Sequence, residues 1–285
     1  MPELPEVQTT VNGLNKTVRG KKIVGVKTSY QSPFYKDRDE IKNPKYFKKF
    51  KKKVIGQKIL IARRRAKNVL IHLSNYETIL VHMKMTGHFV YNRPETTFVR
   101  LDFILNDDKH LVLSDMRKFA KVTLVKTAEL KESPHLKHLG PEPLEKKFQF
   151  TNFNLQIQKK PKGKIKQVLM DQNLISGIGN IYSDEILWHA GIHPLSRPDR
   201  IPAQNLRTMF KAIKEILRKG IDFGGDSMSD YRNIKGEKGN FQNYHRAYKR
   251  TDLSCGKRGC PGITKRIIVS ARSAHFCPIH QILYK

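Results

Sequence analysis

The chain has 285 residues, of which 55 are Lys or Arg and 25 are Asp or Glu, giving a formal charge of +30. That excess points to a polyanionic partner, either nucleic acid or an acidic membrane surface. No apolar run approaches the ~18 residues needed to span a bilayer, and no signal-peptide core opens the chain. Three Cys clustered at one end do not make a disulfide framework; they fit a metal site or free thiols in a reducing compartment.

At roughly 100–200 residues per domain, the length predicts about two domains with a small appendage. The first element is a helix over EVQTTVNGLNKTV, where Val7, Val11 and Leu14 fall on one face. Strands follow in IVGVKTSY, KILIARR, NVLIHLS, ETILVHMKMTGHFVY, VRLDFILNDD and KHLVLSD, each short, rich in β-branched residues and bounded by turn residues. Such a series predicts a two-layer sandwich. After KTAELKESPH the character changes. Lys164 to Ala190 and Asn205 to Lys219 read as helices, the second with a core stripe of Leu206, Met209, Phe210, Ile213, Ile216 and Leu217. The Gly-rich stretch DFGGDSMSDYRNIKGEKGNFQ reads as a mobile loop.

Charge is concentrated near the start. Lys16 to Lys67 carries 19 Lys or Arg against three acids, Asp37, Asp39 and Glu40. Within a chain this basic, the run is read as phosphate-contacting rather than as a merely solvated face.

The tail spacing Cys255-x4-Cys260-x16-Cys277-x2-His280 gives two ligand pairs around a strand-forming insert, KRIIVSARSAHF. Zn²⁺ takes four S or N ligands in a tetrahedron, and each close pair at a turn supplies two corners. His280 is the better fourth ligand and His275 the weaker, because His275 has no paired partner at a turn. The basic residues Lys265, Arg266 and Arg272 on this insert fit a face turned to nucleic acid.

In LISGIGNIYSDEILWHAGIHP a Gly-rich turn leads into a helix, with Asn180 where an N-cap would stand. Unpaired N–H groups and the partial positive charge of a helix start can hold a phosphate. At the beginning of the chain, loss of Met1 from MPELPEV would expose Pro2 as a secondary amine beside two acids, Glu3 and Glu6. An α-amine has a pKa near ~8, so part of it is neutral and nucleophilic toward a sugar C1′. A neighbouring carboxyl group can supply the proton for the departing group. Read without other information, the same residues are better taken as an ordinary helix start.

MPELPEV, GIGNIYSDE and ARSAHFCPIHQ stand in this order along nearly the whole chain. Together they resemble the Fpg/Nei family of DNA glycosylases, and within it the formamidopyrimidine-DNA glycosylase (Fpg) branch; Leu4 and the long Gly-rich segment favour that branch. The resemblance implies an α+β fold. An N-terminal catalytic β-sandwich with a leading helix would span 1–134, and a helix-two-turn-helix DNA-binding domain with the lesion-recognition loop 135–240. A zinc-finger β-hairpin would span 241–285. It implies a bifunctional glycosylase and abasic-site lyase that removes oxidised purines from duplex DNA and cleaves the strand by β,δ-elimination.

Carried over position by position, Pro2 matches the Schiff-base nucleophile, Glu3 the general acid and Glu6 a structural acid beside them. Lys67 matches the Lys of β-elimination, and Arg272 the phosphate-gripping Arg of the zinc hairpin that serves the δ step. His82 and Asn180 match phosphate contacts, with Lys162 a looser candidate. Met85, Arg117 and Phe119 match the wedge that fills the gap left by an extruded base; without the family, Met85 and Phe119 would read as core and Arg117 as a surface charge. Backbone groups of the loop from Gly224 to Asn240 would read the damaged base. One structural zinc on Cys255, Cys260, Cys277 and His280, a monomer, and a cytoplasmic, nucleoid-associated location complete the expectation. The sequence departs from the family in the fourth ligand, His280 where Cys is usual, and in DMRKFAK, where Lys118 and Ala120 are unusual. Two other readings stay open: an endonuclease VIII-like enzyme for oxidised pyrimidines, and a non-catalytic binder of damaged DNA.

Overall fold

The computed structural model describes residues 1–93, 96–228 and 230–285. The chain divides into two compact units, Met1–Lys137 with Phe223–Asn240, and His138–Asp222 with Phe241–Lys285.

The first unit begins with α1 (Leu4–Thr17). Two four-stranded antiparallel sheets follow. In one, β1 (Ile23–Thr28), β6 (Val99–Leu105), β7 (His110–Ser114) and β5 (His88–Tyr91) lie in that order. In the other, the order is β2 (Ile59–Arg65), β3 (Asn68–Leu73), β4 (Glu77–His82) and β8 (Lys121–Lys126). Val26, Phe103 and Leu113 of the first sheet share one core with Ile71, Ile79 and Val81 of the second, closed by Val7, Val11 and Leu14 of α1. The expected sandwich and leading helix are both present.

Three local differences have physical causes. The apolar stretch ETILVHMKMTGHFVY is two strands in different sheets, β4 and β5. The chain turns between them through Lys84 at φ 55° and Gly87, where a Cβ would stand 2.5 Å from the Met83 carbonyl oxygen. A second helix, α2 (Pro44–Val54), lies inside the Lys-rich run. Asn43 caps it by accepting the Lys45 N–H at 3.0 Å, Pro44 opens it, and Phe47, Phe50 and Val54 are its buried stripe. Strand β8, with a Lys at each end, also lies outside the predicted set.

The second unit holds α3 (Phe150–Ile157), α4 (Ile165–Met170), α5 (Asn180–Ala190) and α6 (Ala203–Asp222), then the hairpin β9 (Lys265–Val269) and β10 (Arg272–Phe276). The helical stretch expected over 164–190 is two helices, α4 and α5, parted at the Gly-rich turn that the sequence places before Asn180. Gln172 staples that break by donating to the Met170 and Ile178 carbonyls and accepting the Gly177 N–H.

The Gly-rich stretch after α6 is placed differently from expectation. The resemblance assigns it to the helical domain, yet Phe223–Asn240 clusters with the sandwich. Most of it is anchored rather than loose. Ile234 enters the sandwich core, and its carbonyl accepts the Tyr91 N–H at 2.8 Å. Gly239 sits where a Cβ would meet the Gly225 carbonyl oxygen at 2.2 Å, so the two ends of the loop can approach only without side chains. Ser229, inside the expected recognition loop, lies outside the described residues.

Candidate functional site

The start of α1 is a reciprocal capping box: the Glu3 side chain takes the N–H of Glu6, and Glu6 Oε2 takes the N–H of Glu3 at 2.7 Å. Pro5 in the first turn gives up an N–H that no helix partner would have used. Pro2, Glu3 and Glu6 are all buried. Glu6 also accepts the Asp226 N–H at 2.8 Å through Oε1, and its carbonyl accepts the Tyr231 hydroxyl at 3.0 Å. Burial raises the Tyr231 pKa, which keeps that hydroxyl a donor. The capping box fixes both acids beside Pro2, and Glu6 ties that corner to the loop 226–231.

Lys67 sits in the two-residue turn between β2 and β3, next to Ala66 at φ 53°. A non-glycine residue in that region costs roughly 1–2 kcal/mol. The turn keeps Lys67 only 5% exposed. His82 ends β4 and accepts the Lys84 N–H on Nδ1 at 3.0 Å, so its proton stands on Nε2. Burial, with Lys84, Lys67 and Lys121 close by, holds the His82 pKa down at about 3, so the ring is a neutral donor.

Met85 and Phe119 are 36% and 47% exposed, which sets aside the core reading that their residue types alone would give. The Arg117 guanidinium lies 4.7 Å above the Phe119 ring centre. Both loops converge on Asp115, fully buried, which accepts from the Tyr30 and Thr86 hydroxyls and the Ala120 N–H. Thr86 in turn accepts the Arg117 N–H at 3.1 Å. With Lys118 at φ 56°, the unusual DMRKFAK segment forms a well-bonded turn. Sequence reasoning misses Asp115, whose only signal is an acid closing a strand.

In the second unit Gly179, not Asn180, is the N-cap of α5, and Asn180 is the first helical residue. The Asn180 Oδ1 is buried without a partner. Lys162 is exposed in the turn before α4. Lys166 of α4 is buried against Asp184 of α5 at 2.5 Å, and the other Asp184 oxygen accepts from the backbone N–H and Nδ1 of His275 on β10. That chain joins both helices to the hairpin. The hairpin turns through Ser270 and Ala271, both at positive φ, as a tight two-residue turn requires. Arg272 then shares a cavity of about 250 Å³ with Lys160, Lys166 and Gln167. Glu185 of α5 binds the tail as well, accepting the N–H groups of Arg246, Ala247 and Tyr248.

The donor atoms of Cys255, Cys260, Cys277 and His280 all lie within 4.8 Å of one another. The His280 Nδ1 faces the Cys255 sulfur at 3.0 Å, and its Nε2 lies 2.9 Å from the Trp188 carbonyl. A carbonyl on the far nitrogen fixes the tautomer that leaves Nδ1 free to ligate. His275 is bonded to Asp184 and lies outside this group, so the side chain positioned beside the three sulfurs is His280. Three sulfurs and one imidazole suit Zn²⁺, so the residues fit the metal.

A sandwich with an acid pair at its N-terminal helix, and a helix-two-turn-helix unit with a Cys₃His finger, together define a DNA-processing protein of a known class. Residues 1–122 match the formamidopyrimidine-DNA glycosylase N-terminal domain, and residues 139–232 match the formamidopyrimidine-DNA glycosylase H2TH domain. The formamidopyrimidine-DNA glycosylase of Protochlamydia amoebophila is 35% identical over 99% of both chains, and that of Lactobacillus acidophilus 34% over 100% of both. Among solved structures, the Thermus thermophilus Fpg aligns over 98% of both chains at 32% identity, with a TM-score of 0.85. The Lactococcus lactis Fpg in complex with abasic-site DNA aligns over 98% of this chain and 99% of its own, at 30% identity with a TM-score of 0.87. The chain therefore belongs to the Fpg branch of the Fpg/Nei family and is a DNA repair glycosylase. Among the described residues no helix is long and apolar enough to cross a membrane.

Proposed function

We propose that this chain excises oxidised purines from duplex DNA and then cleaves the strand at the resulting abasic site, with Pro2 as the nucleophile. The observation that carries the reading is the capping box, which holds two buried carboxyl groups at the residue next to Pro2. Loss of Met1 frees the Pro2 amine. That amine attacks C1′ while Glu3 donates a proton to the departing side, so the C1′–base bond breaks as the N–C1′ bond forms. The C1′–O4′ bond then breaks, O4′ taking a proton, and the ring-opened iminium this leaves makes the C2′ proton acidic. Lys67 removes it, the C3′–O bond breaks, and the 3′ phosphate leaves. A second elimination with Arg272 on the phosphate breaks the C5′–O bond, and water releases the sugar from Pro2.

Glu6 is a positioning residue: it orients Glu3 and holds the start of the loop whose backbone reads the damaged base. His82, Asn180 and Lys162 contact phosphates. Neutral His82 gives a directed Nε2–H bond, and the +30 chain supplies the long-range attraction. Met85, Arg117 and Phe119 fill the stack when the lesion leaves it, offsetting a few kcal/mol of unstacking. Zn²⁺ on Cys255, Cys260, Cys277 and His280 would cross-link the tail and so hold the Arg272 hairpin. A cytoplasmic, nucleoid-associated monomer belongs with this reading.

Borohydride trapping on abasic-site DNA tests it. A covalent adduct from protein lacking Met1, and none from protein retaining it, is the expected result. Absence of any adduct from the processed chain overturns the nucleophile and leaves a damaged-DNA binder. Excision of 8-oxoguanine over thymine glycol separates the oxidised-purine reading from an endonuclease VIII-like one.

A further inference from the structure

Trp188 stands in the last turn of α5, only 8% exposed, and packs against Cys255 and Cys277. Its indole N–H donates to the Cys255 sulfur at 3.3 Å. Its backbone carbonyl lies 2.9 Å from His280 Nε2, and the Trp188 and His280 rings meet edge to face, with centres 5.2 Å apart and planes at 78°. One residue therefore touches two of the four clustered donors, from 67 and 92 positions away in the chain. The other two are held within the tail. Cys260 accepts the Gly262 N–H at 3.4 Å, and the Cys277 N–H donates to Gln281 Oε1 at 2.7 Å.

The chemistry of the indole contact is specific. A buried indole N–H is a donor without acceptor capacity, and leaving it unpaired is costly. A neutral thiol accepts weakly, whereas a ligating sulfur carries charge and accepts well. The donor is thus matched to Cys255 in its metal-binding form. The carbonyl acts on another corner, turning His280 so that Nδ1 faces the sulfurs. Packing by itself asks for neither feature, since an apolar ring without an N–H fills the same kind of helix-to-tail contact.

We propose that Trp188 is a positioning residue for the metal centre, its indole N–H orienting the Cys255 thiolate and its carbonyl the His280 ring. Helix α5 then presets two of the four corners, and part of the metal affinity resides outside the tail that carries the ligands. The inference rests on the zinc reading of the finger.

The test uses the full chain. Trp188 is the one tryptophan of the sequence, so the protein gives a single indole N–H signal and a single site for analogue incorporation. Wild type is stripped of metal and reloaded with ¹¹³Cd²⁺, a softer ion that accepts thiolate and imidazole ligands. A scalar coupling between the indole proton and ¹¹³Cd should be present, because only an N–H···S–Cd path carries it. In parallel, Trp188 is replaced by benzothienylalanine, which keeps the bicyclic shape and the backbone carbonyl but has sulfur in place of the N–H. The zinc dissociation constant of this protein, measured by competition with a chromophoric chelator, should rise at least about tenfold, the lower end of what partners of metal ligands contribute. Absence of the coupling, or an analogue that holds zinc as tightly as wild type, overturns the proposal and leaves Trp188 as packing. Wild type that takes up no zinc sinks the zinc reading itself, a result recognisable before any replacement is made.

Discussion

Glu6 Oε1 accepts the backbone N–H of Asp226, 220 positions further along the chain, at 2.8 Å. The same carboxylate holds the Glu3 N–H through its other oxygen. One buried acid therefore sets both the start of the chain and the loop that returns to it after α6. Hydrogen bonds to a charged group contribute about 1.5–3 kcal/mol each, and stranding their buried donors costs more than a neutral loss would. We expect Glu6→Ala to lower stability by about 2–4 kcal/mol, and to raise amide exchange at both Glu3 and Asp226. Hydrogen exchange read residue by residue checks this; protection that persists at Asp226 would show that the loop is held by other contacts.

Glu3 and Pro2 should separate by step. With Glu3→Gln, excision of an intact lesion should fall by about 100-fold or more, the scale of a lost general acid. Cleavage of a ready-made abasic site should fall much less, since no base remains to depart. Parallel time courses on the two substrates give the comparison, and equal losses on both would assign Glu3 to structure alone.

His82 should stay neutral well below the usual imidazole range. Its folded pKa of about 3 lies under its ordinary value of 6.5, so between those pH values the unfolded chain binds a proton that the folded chain does not. This group's contribution therefore erodes stability as pH falls from 6.5 toward 3 and is constant above 6.5. Imidazole ¹⁵N spectra at about pH 5, inside that window, should show Nδ1 as acceptor and Nε2 protonated. A doubly protonated ring at that pH would contradict the burial that the structure gives it.

Removing the buried partner of Asp184 should be severe. Lys166→Met strips the ammonium from the buried Asp184 carboxylate that joins α5 to the β9–β10 hairpin, leaving its bonds to His275, a change on the order of 3–5 kcal/mol. Denaturant midpoints measure it. Binding of undamaged duplex should weaken alongside, because Arg272 rides on the same hairpin; full affinity in a destabilised variant would detach the hairpin from DNA binding.

The finger should bind about one zinc per chain, lost in His280→Ala and kept in His280→Cys. Metal analysis after dialysis reads this directly. Zinc retained by His280→Ala would return the fourth position to another ligand.

The sequence alone determined the features that spacing and local chemistry set. Strand alternation, the stripe of α6, the Cys pairs and the three family motifs each need only near neighbours, and all were legible. The helix α2 was hidden because its Lys-rich solvent face outweighed a three-residue apolar stripe. The division of ETILVHMKMTGHFVY was hidden because a change of sheet leaves the apolar run unbroken. Only the tertiary structure decided between His275 and His280, since the Asp184 that claims His275 is 91 positions away. It also decided that Met85 and Phe119 are exposed, that Asp115 joins their loops, and that residues 223–240 belong with the sandwich. Each of these depends on which distant groups a side chain meets, and a buried polar atom must meet a partner that no local pattern names.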